Sequence, residues 1–374
     1  MRTTAAVLWE PGGKWEIEEL ELDPPQAGEV MVELTASGLC HSDEHLVTGD
    51  LPAVLPMVGG HEGAGRVIEV GPGVSDLEVG DPVVMTFLPS CGRCQYCAKG
   101  LPNLCNDGAG ATLGPQLDGT YRFRARGPGG EETEIGQMCL LGTFAQHTVV
   151  PVKSVVKIDE GFPLDLAALI GCGVTTGFGS AVRTAELQAG DTAVVVGVGG
   201  IGANAVQGAR IAGCRNVVAV DPVEFKQERA RELGATHVAA SIDEAWETVS
   251  SVTRGQMADA AILCTGVAAG ADLQALLQLV GKRGRVVVTA LANAEEDTAA
   301  LSLLDLTLYE KQIRGSLFGS SAAQHDVPRM LEMHNLGQLR LRELITKEYS
   351  LDQVNEGYED MRAGRNIRGL IRYR

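Results

Sequence analysis

Short apolar stretches broken by turn signals fill the first 90 or so residues. Val30–Leu34 and Gly65–Val70 are examples, set apart by Gly, Pro and Asp, and this texture predicts an all-β region. From Ser90 to about Gly142 no period is sustained; cysteines, glycines and charged pairs take over. Such a stretch predicts an irregular lobe that needs a staple or a function to stay ordered. Strand-like alternation returns over Leu140–Ile158. From about Asp191 strands alternate with helices, the rhythm of a parallel sheet. Thr192–Val196, Asn216–Val220, Ala258–Cys264 and Arg285–Ala290 read as strands; Gly199–Ala212, Val223–Leu233 and Asp272–Val280 read as helices. The rhythm stops after about Ser316, and Gly369–Tyr373 reads as a strand returning to the first region.

Length and charge narrow the class. The 374 residues suffice for two domains with a sizeable core. The formal charge of −17 opposes a nucleic-acid partner, because it repels the phosphate backbone. No apolar run approaches the roughly 20 residues of a spanning helix, and Glu10 closes the N-terminal apolar stretch before a signal core forms. The expectation is a cytoplasmic protein with no membrane partner. Nine cysteines, an odd number at uneven spacing, suit thiols and metal ligands better than a disulfide framework.

Gly197-Val198-Gly199-Gly200-Ile201-Gly202 follows the strand Thr192–Val196 and opens a helix. In that context the first Gly permits a tight turn, the second lets a pyrophosphate approach the backbone, and the third lets helix pack on strand. The helix N-terminus then faces the phosphates. Asp221 ends the next strand, placed to bond an adenosine ribose and to repel a 2′-phosphate, so NAD is expected over NADP. Lys226, five residues on, can reach the same ribose.

Cys91, Cys94, Cys97 and Cys105 lie close enough in sequence to close a tetrahedral zinc site from one loop, with no position left for substrate. A redox dithiol and a zinc-ribbon nucleic-acid module are the rivals. The count of four opposes the first and the acidic charge the second. A further set is dispersed: Cys40 in Gly38–His45, His61 in Gly59–Gly63 and Cys172 in Gly171–Gly177. A Cys, His, Cys set with an open fourth position would be a catalytic zinc, but spacing alone does not select these three from nine cysteines and seven histidines. His147, His237, His325 and His334 read as ordinary polar residues.

Taken together, GHEGAG (60–65), the four-Cys lobe, DGTYRFRARG (118–127), GTFAQHTVV (142–150), IGCGVTTGFGSA (170–181), the Gly-rich turn, GSLFG (315–319) and GRNIRGLIRY (364–373) resemble the zinc-dependent alcohol dehydrogenases of the medium-chain dehydrogenase/reductase superfamily, in their long form. The resemblance implies a Rossmann doubly wound coenzyme domain over 174–316. It also implies a mostly-β GroES-like catalytic domain over 1–173 and 317–374, with a structural zinc lobe at about 90–142. It implies two zinc ions per subunit, one on Cys40, His61 and Cys172 and one on the four lobe cysteines. Glu62 then matches the nearby carboxylate implicated in ligand exchange, and Asp43 the carboxylate that orients His61. Ser42 matches the hydroxyl beside the reacting oxygen, and His45 the end of the proton relay. His41 and Arg368 match pyrophosphate contacts, Thr176 a nicotinamide neighbour and Phe87 a wall of the substrate pocket.

The implied reaction is alcohol to aldehyde or ketone by hydride transfer to NAD. Homodimers or homotetramers through the coenzyme domain are implied as well. Within the family, residues 106–138 resemble actinobacterial nitrosoaniline-dependent nicotinoproteins, which keep NAD bound and use an external electron acceptor. Two other readings stand beside this one. Thiol-adduct formaldehyde dehydrogenases of the same family are the nearest, although Ala109 stands where the glutathione-using members carry Arg. A catalytically silent NAD-binding or zinc-ribbon interaction protein is the other.

Overall fold

Strand Glu29–Gly38 buries Val30, Val32, Leu34 and Ala36 from alternate positions and Met31 and Ser37 from the opposite face, with Glu33 exposed, the pattern of a central strand covered on both faces. In the computed structural model, which describes residues 1–126, 130–295 and 298–373, it is central to a sheet ordered Val155–Lys157, Pro82–Met85, Gly63–Val70, Glu29–Gly38, Arg368–Arg372 and Ile345–Tyr349. Its first half also pairs with His147–Pro151, and its last residues pair antiparallel with Arg368–Arg372. The C-terminal strand therefore does return to the N-terminal region. A closed barrel of Arg2–Leu8, Glu16–Leu22, Phe123–Arg126, Glu132–Gln137 and Met57–Val58 completes this unit, which comprises Met1–Cys172, Ala322–Met333 and Leu341–Arg374.

The barrel corrects one expectation. Only the first part of the 90–142 stretch is irregular, with short turns at Gln95–Ala98, Pro102–Leu104 and Asn106–Gly108. Phe123–Arg126 and Glu132–Gln137 form an antiparallel pair. Their alternation is hidden because the first strand has only four residues and the second opens with three exposed ones. Gly127, the last residue of the 118–127 motif, lies outside the described residues. That motif has a structural use in Arg122, which is buried together with Glu29. Arg122 Nε and Nη2 donate to the two Glu29 carboxylate oxygens at 2.8 and 2.7 Å, and Nη2 also to Asp118 at 2.7 Å.

The second unit, Gly173–Ser321 and His334–Arg340, holds a six-stranded sheet that is parallel throughout. Its order is His237–Ala239, Asn216–Val220, Thr192–Val196, Ala258–Leu263, Val280–Val288, Gln312–Gly315. In chain order this is 3-2-1-4-5-6, the doubly wound arrangement whose ligand crevice opens where the order reverses, beside the first strand. All five residues of Thr192–Val196 are buried, as a strand covered on both faces requires. Strand His237–Ala239 and helix Ile242–Val252 were not read from the hydrophobic pattern. The helix does carry a local start signal, Ser241 accepting the Glu244 amide at 3.2 Å. Residues 317–321 and 334–340 pack with this unit: the Arg340 amide donates to Gln207 at 2.8 Å and its guanidinium to the Glu232 carbonyl at 2.8 Å. The final return to the first unit thus runs later than 317. Among the described residues no single helix is long and apolar enough to cross a membrane.

Candidate active site

The end of the central strand delivers the first ligand candidate. Cys40 follows Glu29–Gly38 with extended backbone (φ −131°, ψ 151°) and caps helix His41–Thr48. His61 and Glu62 precede strand Gly63–Val70, and the Glu62 carbonyl is pinned by the Gly38 amide at 3.0 Å and the Ser37 hydroxyl at 2.9 Å. Cys172 ends the turn Leu169–Gly171. These three strand and turn ends bring the Cys40 and Cys172 thiols, a His61 ring nitrogen and a Glu62 carboxylate oxygen within 4.8 Å of one another, all buried.

Hydrogen bonding and charge prepare this cluster for a cation. Asp43 Oδ1 lies 3.2 Å from His61 Nδ1 and also accepts the Gly60 amide at 2.8 Å. A carboxylate there holds the proton on Nδ1, which leaves a lone pair on Nε2. His61 Nε2 is buried and no group among the described residues bonds it, an orphan that a metal would satisfy. A hydrogen bond from Cys172, helped by His61 and Arg368, holds the Cys40 thiol well below its usual range, the direction a thiolate ligand needs. Its hydrogen bond to Cys40, together with burial, raises the Cys172 thiol in turn. Burial also pushes Glu62 up to about 7, against the pull of Arg368, with which it forms a buried ion pair. The donor set fits zinc: two soft sulfurs and an imidazole nitrogen, with the Glu62 carboxylate close by.

The other expected residues surround this centre. The Ser42 hydroxyl is 3.7 Å from Cys40 Sγ, and the Phe87 ring meets the His61 ring edge-on with centroids 5.8 Å apart. His45 is buried rather than open to water, with Nδ1 3.1 Å from Asp50. His41 is exposed at the helix start. Arg368 is buried on Glu62, and its Nε finds no partner among the described residues. Two participants escaped sequence reading. Asp50 is signalled only by its position just past a Thr-Gly helix end, and Tyr358, whose hydroxyl donates to the Cys40 carbonyl at 3.4 Å, lies 318 positions away with no local signal.

The four lobe cysteines form the second cluster, again with sulfurs within 4.8 Å of one another. The amides of Cys91, Cys94 and Cys97 point at the sulfurs of Cys105, Cys91 and Cys94 at 3.3, 3.3 and 3.5 Å. Such amides favour the thiolate and bring Cys94 down to about 6. Burial instead pushes Cys105 up to about 12, a position a bound cation would reverse. The lobe is tied down by Lys153, which bonds Asp107 at 2.7 Å.

In the second unit the Gly-rich turn meets its physical requirements. Gly197 has φ +88°, and a Cβ there would sit 2.8 Å from the Cys264 backbone; a Cβ on Gly202 would overlap the Gly197 carbonyl. A Cβ on Gly199 would meet nothing within 4 Å, so the space before helix Gly200–Ile211 is a cradle. Among the described residues no side chain caps that helix, which leaves its first amides for an anion. Gly200 and Ile201 supply those amides. Asp221 Oδ2 accepts the Val198 amide at 2.8 Å, its Oδ1 the Val223 amide at 3.0 Å, and Lys226 Nζ stands 4.0 Å away. The carboxylate is fixed at the edge of the turn with lone pairs to spare. Thr176 is buried, and its hydroxyl has no partner among the described residues. The residues present therefore fit a dinucleotide.

Residues 26–160 match the alcohol dehydrogenase GroES-like domain and residues 200–335 the zinc-binding dehydrogenase family. The chain belongs to the alcohol dehydrogenases of the medium-chain dehydrogenase/reductase superfamily, and it is an enzyme. It is 52% identical over 371 residues to the NDMA-dependent alcohol dehydrogenase of Amycolatopsis methanolica, covering 99% of each chain. It is 47% identical over 375 residues to alcohol dehydrogenase B of Mycobacterium tuberculosis, covering 100% of this chain and 99% of that one. Among solved structures it resembles an alcohol dehydrogenase zinc-binding domain protein from Burkholderia ambifaria, with TM-score 0.92, 31% identity and coverage of 100% of this chain and 99% of that one. Benzyl alcohol dehydrogenase from Acinetobacter calcoaceticus gives TM-score 0.91 at 27% identity, with both chains fully covered.

Proposed function

We propose that this enzyme oxidises alcohols to aldehydes or ketones with zinc at Cys40, His61 and Cys172 and with NAD as hydride acceptor. The observation that carries this reading is the buried Cys–His–Cys cluster, with His61 Nε2 left unpartnered and Asp43 fixing its tautomer. When bound, zinc supplies Lewis-acid polarisation of the substrate oxygen, and NAD supplies the ring that takes the hydride. A second zinc on Cys91, Cys94, Cys97 and Cys105 keeps the lobe ordered.

The protein's own side chains do the rest. Ser42 takes up the alcohol proton as its own hydroxyl proton moves on toward His45, which carries it outward. Asp43 holds the His61 ring in place, and Phe87 excludes water from one side of the reacting carbon. Glu62, held by Arg368, stands ready to replace a departing ligand. Gly197, Gly199, Gly200, Ile201 and Gly202 cradle the pyrophosphate, with His41 and Arg368 as further contacts to it and Thr176 beside the nicotinamide. Asp221 accepts from the ribose hydroxyl, with Lys226 alongside. Replacing Asp221 by Ser should improve NADP binding relative to NAD at least tenfold, because it removes a carboxylate from the path of the 2′-phosphate. Titration of the apoenzyme with both coenzymes checks this; equal affinity of the unaltered apoenzyme for the two would contradict it.

An external acceptor follows from the likeness to the Amycolatopsis enzyme, whose name makes it NDMA-dependent. In this reading NAD stays bound between turnovers. Assembly through the coenzyme unit is supported by its edge strand Gln312–Gly315 and by Leu303, Leu304 and Leu308, exposed on one short helix. The S-(hydroxymethyl)glutathione dehydrogenase of Paracoccus denitrificans is 36% identical, but Ala109 removes the cation expected for a glutathione carboxylate. The test gives zinc-loaded protein a panel of alcohols, with free NAD in one arm and an artificial electron acceptor in the other. Aldehyde or ketone should form with the acceptor and no added NAD, and denatured protein should release close to one NAD(H) per chain. No product in either arm would overturn the reading. Protein empty as purified yet active with free NAD would overturn only the bound-coenzyme part.

A further inference from the structure

The geometry points to Asp50 as the positioning residue for His45 and the outlet of its proton to water; this rests on the relay proposed above. His45 lies in helix His41–Thr48, which Gly49 ends in the left-handed region (φ +79°). The reversal folds Asp50 back under the helix, and the Leu51 amide closes it on the His45 carbonyl at 3.2 Å. Asp50 Oδ2 then lies 3.1 Å from His45 Nδ1 and accepts the Thr48 hydroxyl at 2.5 Å, a hydroxyl also within 3.2 Å of the Glu44 carbonyl.

Burial gives this short chain of bonds a direction. The His45 side chain is 4% exposed and the Asp50 side chain 18%. An imidazole this enclosed has no broad route of its own to bulk water, whereas the carboxylate it touches does. A carboxylate on Nδ1 holds the proton there and leaves Nε2 as the acceptor. The steps balance: Nε2 gains the proton that arrives from the alcohol, Nδ1 yields its proton to Asp50 Oδ2, and Asp50 yields it to water. Asp50 ends the cycle unchanged, and His45 ends with its proton on Nε2, so a rotation of the ring returns an N–H to Asp50 and a lone pair to the incoming proton before the next turnover.

The test compares Asp50→Asn, Asp50→Glu, His45→Gln and the Asp50→Asn/His45→Gln double variant in alcohol oxidation. Asn keeps an acceptor for Nδ1–H but cannot take the proton. Its kcat should fall about tenfold with KM for the alcohol changed less than about twofold. Raising the concentration of an imidazole buffer should restore it, and Asp50→Glu should retain most of the rate. The double variant should be no slower than His45→Gln alone, since both changes cut one path. Full kcat in Asp50→Asn beside a slow His45→Gln would overturn the assignment and leave the relay standing. Additive losses, or losses that buffer does not repair and that follow a lowered melting temperature, would make Asp50 structural only and overturn it too. Full turnover in His45→Gln would overturn the relay itself.

Discussion

Cys172→Ser should abolish alcohol turnover while the protein stays folded. Cys172 is buried at the end of the Leu169–Gly171 turn, and its sulfur faces Cys40 and His61. The serine hydroxyl is smaller and titrates far above a thiol, so it cannot supply the soft anion that a Cys, His, Cys zinc requires. Lewis-acid polarisation is worth several kcal/mol in the transition state, so a fall of roughly a thousandfold or more is expected. The barrel and both sheets do not depend on that sulfur, so circular dichroism and coenzyme binding should be little changed. Cys94→Ser should do the opposite. It opens the lobe to proteolysis near 90–113 and lowers its zinc content, while residual folded protein keeps measurable turnover. Equal activity of Cys172→Ser and the unaltered enzyme would contradict the assignment.

Arg122→Met should cost about 3–5 kcal/mol of stability, the usual penalty for leaving one member of a buried ion pair alone. Glu29 is 5% exposed and receives both guanidinium bonds, so it would stay behind as an unpaired buried carboxylate. The Gln26 amide also donates to Glu29, at 2.8 Å. Adding Glu29→Gln should recover part of the loss, because the remaining group no longer carries charge. Urea unfolding followed by fluorescence provides the measurement, and a loss below about 1 kcal/mol would show that the pair is solvated rather than buried.

How much of this was legible in sequence depended on whether a signal was local. The Gly-rich turn was readable because strand, turn and helix are contiguous, and Gly197 and Gly202 are required by contacts within the same unit. The four lobe cysteines were readable for the same reason. The parallel sheet could be read over its long buried strands, whereas the three-residue strand His237–Ala239 gave no pattern to read. Cys40, His61 and Cys172 converge from points up to 132 positions apart, so only family resemblance could group them. The second barrel strand pair was hidden by short length and exposed glutamates. Burial of His45 and its bond to Asp50 depend on how Gly49 reverses the chain, a conformational detail that spacing does not report.

Metal content set against activity in the unaltered enzyme tests the central assignment most directly. Zinc is removed stepwise with a chelator, and at each step zinc per chain, alcohol turnover and lobe protection from proteolysis are recorded. Fully active enzyme should hold two zinc ions per chain. Turnover should vanish when the ion on Cys40, His61 and Cys172 is lost and return when zinc is restored, while the ion in the lobe governs protection. Full activity in protein that holds only one zinc, bound by Cys91, Cys94, Cys97 and Cys105, would contradict the account.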